Sequence, residues 1–92
     1  MSTLYIEWFT EETSYSALKA FILPDPGIPD AYNEGLFLKK KQMANLVSRG
    51  DIAEKIEVNP QEFRRYCDHM GYKYDTVALL RFVTWKGIGQ SF

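Results

Sequence analysis

Gln61, Arg64 and Arg65 are the residues best suited to recognise a charged partner. They recur at the spacing of one face of a predicted helix, with Asp68 one turn further on. Glutamine can bond to an adenine edge and arginine to a guanine edge, so this face has the chemistry to read a DNA major groove. The alternative is an ordinary solvent-facing surface in which Arg64 and Asp68 form an i,i+4 ion pair.

A second group of cations, Lys39, Lys40 and Lys41, is predicted to begin a helix that runs to Ser48. These side chains could contact the phosphates of RNA or DNA. Alternatively, they keep the preceding apolar run, residues 36–38, from associating with other chains. The start of a helix already carries a partial positive charge, so cations there are mildly unfavourable, which adds some weight to a binding role without deciding between the two alternatives.

Residues for catalysis are scarce. Cys67 and His69 lie two apart on a predicted helix, so their side chains point about 200° apart. They cannot act as a nucleophile pair, and the spacing of a zinc site is missing. The sequence contains no phosphate-binding loop and no dinucleotide-type glycine pattern. We therefore expect no enzymatic activity, no metal, no cofactor and no small-molecule substrate, with Cys67 as a core residue.

Local signals define the helix that carries Gln61, Arg64 and Arg65. Asn59 is a good N-cap, Pro60 suits the first helical position and Gly71 suits a left-handed stop. Glu62 lies three residues after Asn59, at the position of the acidic residue in a capping box. Val58 and Phe63 have the spacing of the two apolar residues in a hydrophobic staple. The sequence predicts a helix from 60 to 70. The residues expected on its inward face are Phe63, Tyr66, Cys67 and Met70.

Residues 51–71 together resemble a helix-turn-helix, with a first helix over Ile52, Ala53 and Ile56. The resemblance covers roughly a quarter of the chain, and Glu57 stands where the turn usually has glycine. It implies a small DNA-binding transcriptional regulator, acting as a dimer on duplex DNA.

The remaining pattern predicts an α+β fold in a single domain, 1–92, with three or four helices. Strands are expected at 3–9 and 77–85, although a helix capped by Asp75 is the alternative for the second. A helix capped by Thr13 or Ser14 should bury residues 18, 21 and 22. Residues 24–35 are predicted to be a loop, 36–38 a short strand or helix lead-in, and 87–92 an irregular tail. Met43, Leu46 and Val47 should face inward.

Charge is spread unevenly along the chain. Residues 1–35 carry six acidic and one basic side chain, whereas residues 36–73 carry eight basic and five acidic ones. The basic part could follow a phosphate backbone and the acidic part could occupy a basic surface, unless both are simply solvated. We expect no membrane span and no signal peptide, and the single cysteine suits a reducing compartment.

The whole chain resembles the small phage-encoded anti-CRISPR proteins directed at type I-F complexes. The likeness lies in the segments LYIEWFTEE, DPGIPDAYNEGLFLKKKQ and RFVTWKGIGQSF. It implies a non-enzymatic inhibitor in the bacterial host cytoplasm, which binds subunits of a CRISPR-Cas surveillance complex, and its guide RNA, and blocks target DNA binding. The expected contact residues are Lys39, Lys40, Lys41, Arg64 and Arg65, with the proline-rich loop.

Overall fold

The protein is described by a computed structural model over residues 2–90. The elements in chain order are β1 (Thr3–Trp8), α1 (Glu12–Lys19), α2 (Tyr32–Ser48), β2 (Ile52–Glu57), α3 (Pro60–Met70) and α4 (Thr76–Gly87). The α+β class is confirmed, and so is the N-terminal strand.

The two strands pair in parallel, in a register that runs from Thr3 opposite Ile52 to Trp8 opposite Glu57. The Ile52 N–H donates to the Ser2 carbonyl at one end of the ladder, and the Val58 N–H to the Trp8 carbonyl at the other, both at 2.9 Å. The crossover between the strands contains α1 and α2. Both α2 and α4 contact both strands, and neighbouring residues on opposite faces of β1 are buried. The sheet therefore lies between helical layers.

The predicted helix-turn-helix is wrong because its first helix is β2. Residues 52–57, IAEKIE, contain good helix formers, but Ile52 and Ile56 are β-branched, and their i,i+4 spacing puts them on one face of a strand as well as of a helix. Gly50, at φ +86°, ends α2, and the Asp51 N–H returns to the Leu46 carbonyl, which turns the chain directly into the strand. Pairing with β1 then satisfies the backbone groups that a helix would have satisfied internally.

The predicted strand over 77–85 is also wrong, and the alternative helix is correct. The Asp75 carboxylate caps α4 by accepting from the Ala78 N–H at 2.8 Å. Leu79, Phe82 and Val83 are buried at helical spacing. The β-branched and aromatic residues suggested a strand, but their burial against the core decides the conformation.

The N-terminal half differs from expectation in its boundaries. Helix α1 begins after Glu11 without a side-chain cap, so neither Thr13 nor Ser14 caps it, and Phe21 and Ile22 lie beyond its end. The loop is shorter than predicted because α2 already begins at Tyr32, which makes residues 36–38 helical.

Burial differs from expectation at two apolar positions. Val47 and Met70 are exposed rather than inward, whereas Leu46 is buried and Met43 is half-buried. The irregular tail is confirmed for residues 88–90, although Gly87 still belongs to α4; residues 91–92 lie outside the described part of the chain.

An aromatic core joins α3 and α4. The ring of Phe82 lies 5.6 Å from that of Phe63 and 5.4 Å from that of Tyr66, and Tyr66 is 5.0 Å from Trp85. Such ring pairs add packing energy beyond the area they bury. Because Phe63, Phe82 and Leu18 are almost fully inaccessible, α1, α3 and α4 are held in one rigid arrangement.

Gly87 marks the closest approach of α4 to the sheet. A Cβ at this position would lie 2.6 Å from Cγ of Tyr5. Rotation of the ring cannot remove that overlap, since Cγ is fixed to the Tyr5 Cβ. We predict that Gly87→Ala lowers the free energy of unfolding by about 1–3 kcal/mol, despite alanine's better helix propensity. Urea unfolding measures this, with the exposed Val77→Ala as control, expected within about 0.5 kcal/mol of wild type. An unchanged or raised stability of Gly87→Ala would contradict the close packing.

Candidate partner interface

Helix α3 begins and ends as the sequence predicts. The Asn59 side chain accepts from the backbone N–H groups of Gln61 and Glu62 at 2.9 and 3.2 Å. Pro60 occupies the first turn, and Gly71 ends the helix in the left-handed conformation at φ +74°. The capping box is not completed, because the Glu62 carboxylate pairs with Lys86 of α4 instead. That ion pair fixes α3 to α4 near the start of α3.

The outward face of α3 is an open, shallow depression. Gln61, Arg64, Arg65 and Asp68 are all exposed. Asn59 and Glu62 complete its lining. The structure therefore brings together the three residues that were singled out for partner contact on this helix. Phe63, Tyr66 and Cys67 face the core, so the two sides of α3 separate as predicted.

Arg64 is held by aromatic rings. Its guanidinium carbon lies 5.6 Å from the ring centroid of Phe21 and 5.8 Å from that of Tyr74. The Arg64–Asp68 ion pair, considered above as the alternative, is not among the ion pairs of residues 2–90, and the Asp68 carboxylate accepts a hydrogen bond from the Tyr74 hydroxyl. Stacking orients a guanidinium while leaving its N–H donors available. Arg64 therefore presents a positioned cation at the surface.

The three lysines do not form one cluster. Lys39 turns inward, where its amine pairs with the carboxylate of Glu7 on β1. Lys40 and Lys41 are exposed. They lie in the middle of α2 rather than at its start, because α2 begins seven residues before Lys39. The lysines are therefore not at the positively charged start of the helix, and the unfavourable interaction predicted there is absent. Successive residues also point about 100° apart around a helix, so the three side chains point in different directions. Lys39 therefore pairs with a buried carboxylate, and of the three lysines only Lys40 and Lys41 can contact a partner at the surface.

Glu7 is the buried acidic residue of this fold. Its side chain is 6% exposed. Lys39 contacts Oε1, whereas Oε2 has no hydrogen-bond partner among the described residues. The pair borders an enclosed cavity of about 20 Å³, whose other walls are mainly apolar, such as Phe9, Ile28 and Leu79. The sequence analysis did not single out Glu7 as a buried, paired residue. A glutamate within an apolar strand was nevertheless a signal, because a buried carboxylate needs a cationic partner.

Two tyrosines close the region around this ion pair. The Tyr32 hydroxyl donates to the Phe9 carbonyl at 2.6 Å, and the Tyr15 hydroxyl donates to the Pro29 carbonyl. Burial, together with the nearby Asp30 and Glu34 carboxylates, raises the pKa of the Tyr15 hydroxyl. Tyr15 therefore attaches the 20–31 connection to α1, and Tyr32 attaches α2 to the residue that follows β1.

Cys67 is a core residue, as predicted. Its thiol is buried, and that burial raises its pKa to about 11, with the Asp68 and Asp75 carboxylates acting in the same direction. A protonated, inaccessible thiol is a poor nucleophile and a poor metal ligand. Within residues 2–90, no group of three or more histidine, cysteine, aspartate or glutamate side chains is arranged to hold a metal ion. The described helices also include none long and apolar enough to cross a bilayer.

Comparison with protein-family models, with curated proteins and with solved structures finds no match to this chain.

The Glu7–Lys39 pair allows a stability test. We predict that Lys39→Ala lowers the free energy of unfolding by about 3–5 kcal/mol, because it leaves a buried carboxylate without its cation. Lys40→Ala removes a lysine from the same helix at an exposed position and should change stability by less than about 0.5 kcal/mol. Removing both charges with Glu7→Gln and Lys39→Met should recover most of the loss. Equal denaturation midpoints for the two single alanine variants would contradict a buried pair.

Alkaline pH tests the environment of Cys67. The folded thiol has its pKa at about 11 and the ordinary value is 9.0, so the unfolded chain loses its proton first as the pH rises. The contribution of Cys67 is therefore complete below pH 9 and is lost between pH 9 and 11, by about 2 kcal/mol. Because burial also raises the pKa of the Tyr15 and Tyr66 hydroxyls, which adds to the loss of stability at alkaline pH, the measurement is the difference between the urea-unfolding curves of wild type and Cys67→Ala. Parallel pH dependence in both proteins would contradict the assignment.

Proposed function

We propose that this protein is a non-enzymatic inhibitor that binds a bacterial type I-F CRISPR-Cas surveillance ribonucleoprotein and blocks its binding or unwinding of target DNA. The proposal draws on the resemblance of three segments of the chain to anti-CRISPR proteins. The observation that carries it structurally is Arg64, an exposed guanidinium held over two aromatic rings on a helix face that also bears Gln61 and Arg65.

A positioned arginine suits the partner chemistry. A guanidinium can donate two parallel hydrogen bonds to a phosphate of the guide RNA or to a carboxylate of a protein subunit. Because the rings of Phe21 and Tyr74 already restrict it, less side-chain entropy is lost on binding than for a free lysine. The rigid attachment of α3 to α1 and α4 keeps this face in one shape. Such a surface supports binding by occlusion, with no chemistry performed on the partner.

The basic residues define how far the proposed interface extends. Lys40 and Lys41 are exposed on α2 and can add long-range attraction to a polyanion. Lys39 is not assigned to the interface, since its amine is paired with Glu7. Exposed acidic side chains of the N-terminal third, such as Glu11, Glu12 and Glu34, can add attraction to the basic DNA-binding grooves of such complexes. The buried Glu7 does not contribute to this attraction.

The hypothesis of a DNA-binding regulator depended on a first helix over residues 52–57, and the structure does not contain it. A helix-turn-helix needs a first helix to set its second helix across the phosphate backbone, and residues 52–57 form a strand instead. We therefore do not carry duplex-DNA reading by Gln61, Arg64 and Arg65 forward as a second proposal.

The test uses purified type I-F surveillance complex with its guide RNA. We predict that the protein co-elutes with the complex in size-exclusion chromatography and lowers its binding of target duplex in a mobility-shift assay. Arg64→Glu should raise the half-inhibitory concentration by roughly tenfold or more, because it places a repulsive charge at the interface. Arg64→Lys keeps the charge but not the planar guanidinium. Its half-inhibitory concentration should lie between those of wild type and Arg64→Glu.

Lys73→Glu is the matched control. It makes the same charge change at an exposed position in a different surface depression, next to Tyr72 and Val77, and should inhibit like wild type. Thermal unfolding confirms that each variant is folded. Failure to co-elute with the complex at moderate salt would overturn the proposal, and a shift of free duplex DNA would point to a DNA-binding protein instead.

A further inference from the structure

The outer edge of β2 has backbone groups without partners. In the parallel ladder, the N–H groups of the even-numbered residues of β2 point to β1, as the bonds of Ile52 and Val58 at its two ends show. The N–H and C=O groups of Ala53, Lys55 and Glu57 therefore point away from β1. β2 has β1 as its single strand neighbour within residues 2–90, so this edge has no further strand on it.

The edge is accessible along much of its length. The side chains of Glu54, Lys55 and Glu57 are exposed, and Ile52 is 48% exposed. Natural proteins protect such an edge, which is a template for another strand, with proline, a bulge, a covering element or charged side chains. Residues 52–57 contain no proline, and their charged side chains are of both signs, so they repel a second copy in some registers and attract it in others. These features indicate that β2 accepts an additional strand.

We propose that the added strand is β2 of a second copy of this chain, paired antiparallel about a two-fold axis at Ile56. In this register Lys55 lies directly opposite the partner's Glu57, and Glu57 lies opposite the partner's Lys55. Ile56 packs against the partner's Ile56. The result is a continuous four-stranded sheet across the dimer, with the same contacts made twice.

Charge selects this register over its neighbours. Moving the axis to Lys55 places this lysine opposite the partner's Lys55, and moving it to Glu54 places two glutamates opposite each other. Like charges directly opposite in a sheet are unfavourable, whereas opposite charges are favourable. The order Lys-Ile-Glu in β2 is therefore self-complementary for antiparallel pairing.

Both charged side chains are already positioned on the same face of the sheet. The Lys55 amine lies 4.1 Å from the centroid of a Trp8 ring. The Glu57 carboxylate accepts from Thr10, at 3.1 Å from its backbone N–H and 2.9 Å from its hydroxyl. These contacts are with β1 and with Thr10. Pairing across the dimer axis therefore replaces the Lys55–Trp8 contact and uses carboxylate lone pairs of Glu57 that Thr10 leaves available. This inference goes beyond the proposed function and does not depend on it.

The experiment measures the monomer–dimer equilibrium of the full chain by sedimentation over a concentration series. Wild type should show a concentration-dependent dimer. Lys55→Glu and Glu57→Lys should each raise the dimer dissociation constant at least about fivefold, because each change acts at two symmetric pairs. The double variant with both changes should return towards the wild-type value. A mixture of wild type and the double variant should not form mixed dimers, since like charges then face each other at both positions.

Two further variants keep the test decisive. Lys55→Pro removes an N–H that points to the outer edge and not to β1, so it should abolish the dimer while the fold is kept. This variant decides the outcome if Glu57→Lys unfolds through loss of its bonds to Thr10. Glu54→Lys changes the charge of the adjacent residue on the opposite face and is the matched control, expected to dimerise like wild type.

A monomer at every accessible concentration would overturn the proposal. So would a folded double variant that dimerises no better than the single variants, or a folded Lys55→Pro variant that still dimerises.

Discussion

The parallel pairing of β1 with β2 is the constraint on which the rest of this structure depends. The two strands lie about 50 residues apart in the chain, so their ladder closes a long loop that contains α1 and α2. This pairing converts residues 52–57 from a candidate helix into a strand. Because α2 and α4 pack on the paired strands, both faces of β1 are buried, which brings the Glu7 side chain into the interior and requires Lys39 to turn towards it. Long-range strand pairing thus determines the direction in which α2 presents its charges.

The ion pair between Glu7 and Lys39 shows how a buried charge orders its surroundings. Such pairs often contribute little net stability, since desolvation opposes the attraction, but breaking one is costly. Here the pair joins β1 to α2 beside two tyrosine hydroxyls that donate to backbone carbonyls. The contacts fix the rotation of α2 about its axis. As a result, Lys40 and Lys41 point outward while Lys39 does not, and the surface charge of α2 follows from its interior contacts.

A contrasting arrangement occurs on α3, whose outward face is independent of the sheet. Its inner side is fixed by Phe63 and Tyr66 in the aromatic core, and its first turn is fixed by the Glu62–Lys86 pair. Arg64 then lies on rings from two separate connections, those after α1 and after α3. The rigid core and the stacked arginine together give a surface that can bind a partner with little rearrangement. This supports an inhibitor whose action is to occupy a site.

The sequence by itself determined the features that depend on neighbouring residues. The boundaries of α3 follow from Asn59, Pro60 and Gly71, whose caps act within one turn, and the two faces of α3 follow from helical periodicity. The N-terminal strand and the core position of Cys67 were predicted on the same local basis. In α4, the Asp75 cap was recognised but was outweighed by strand-forming side chains, since local propensity does not include the packing of Leu79 and Phe82.

Only the tertiary structure decided the features that depend on distant partners. Residues 52–57 have a pattern compatible with helix or strand, and the carbonyls of β1 decide between them. The inward turn of Lys39 requires Glu7, which is 32 positions away, and the orientation of Arg64 requires Phe21 and Tyr74. No spacing rule along one helix contains this information, because side-chain direction at a surface is set by which partner the fold brings within reach.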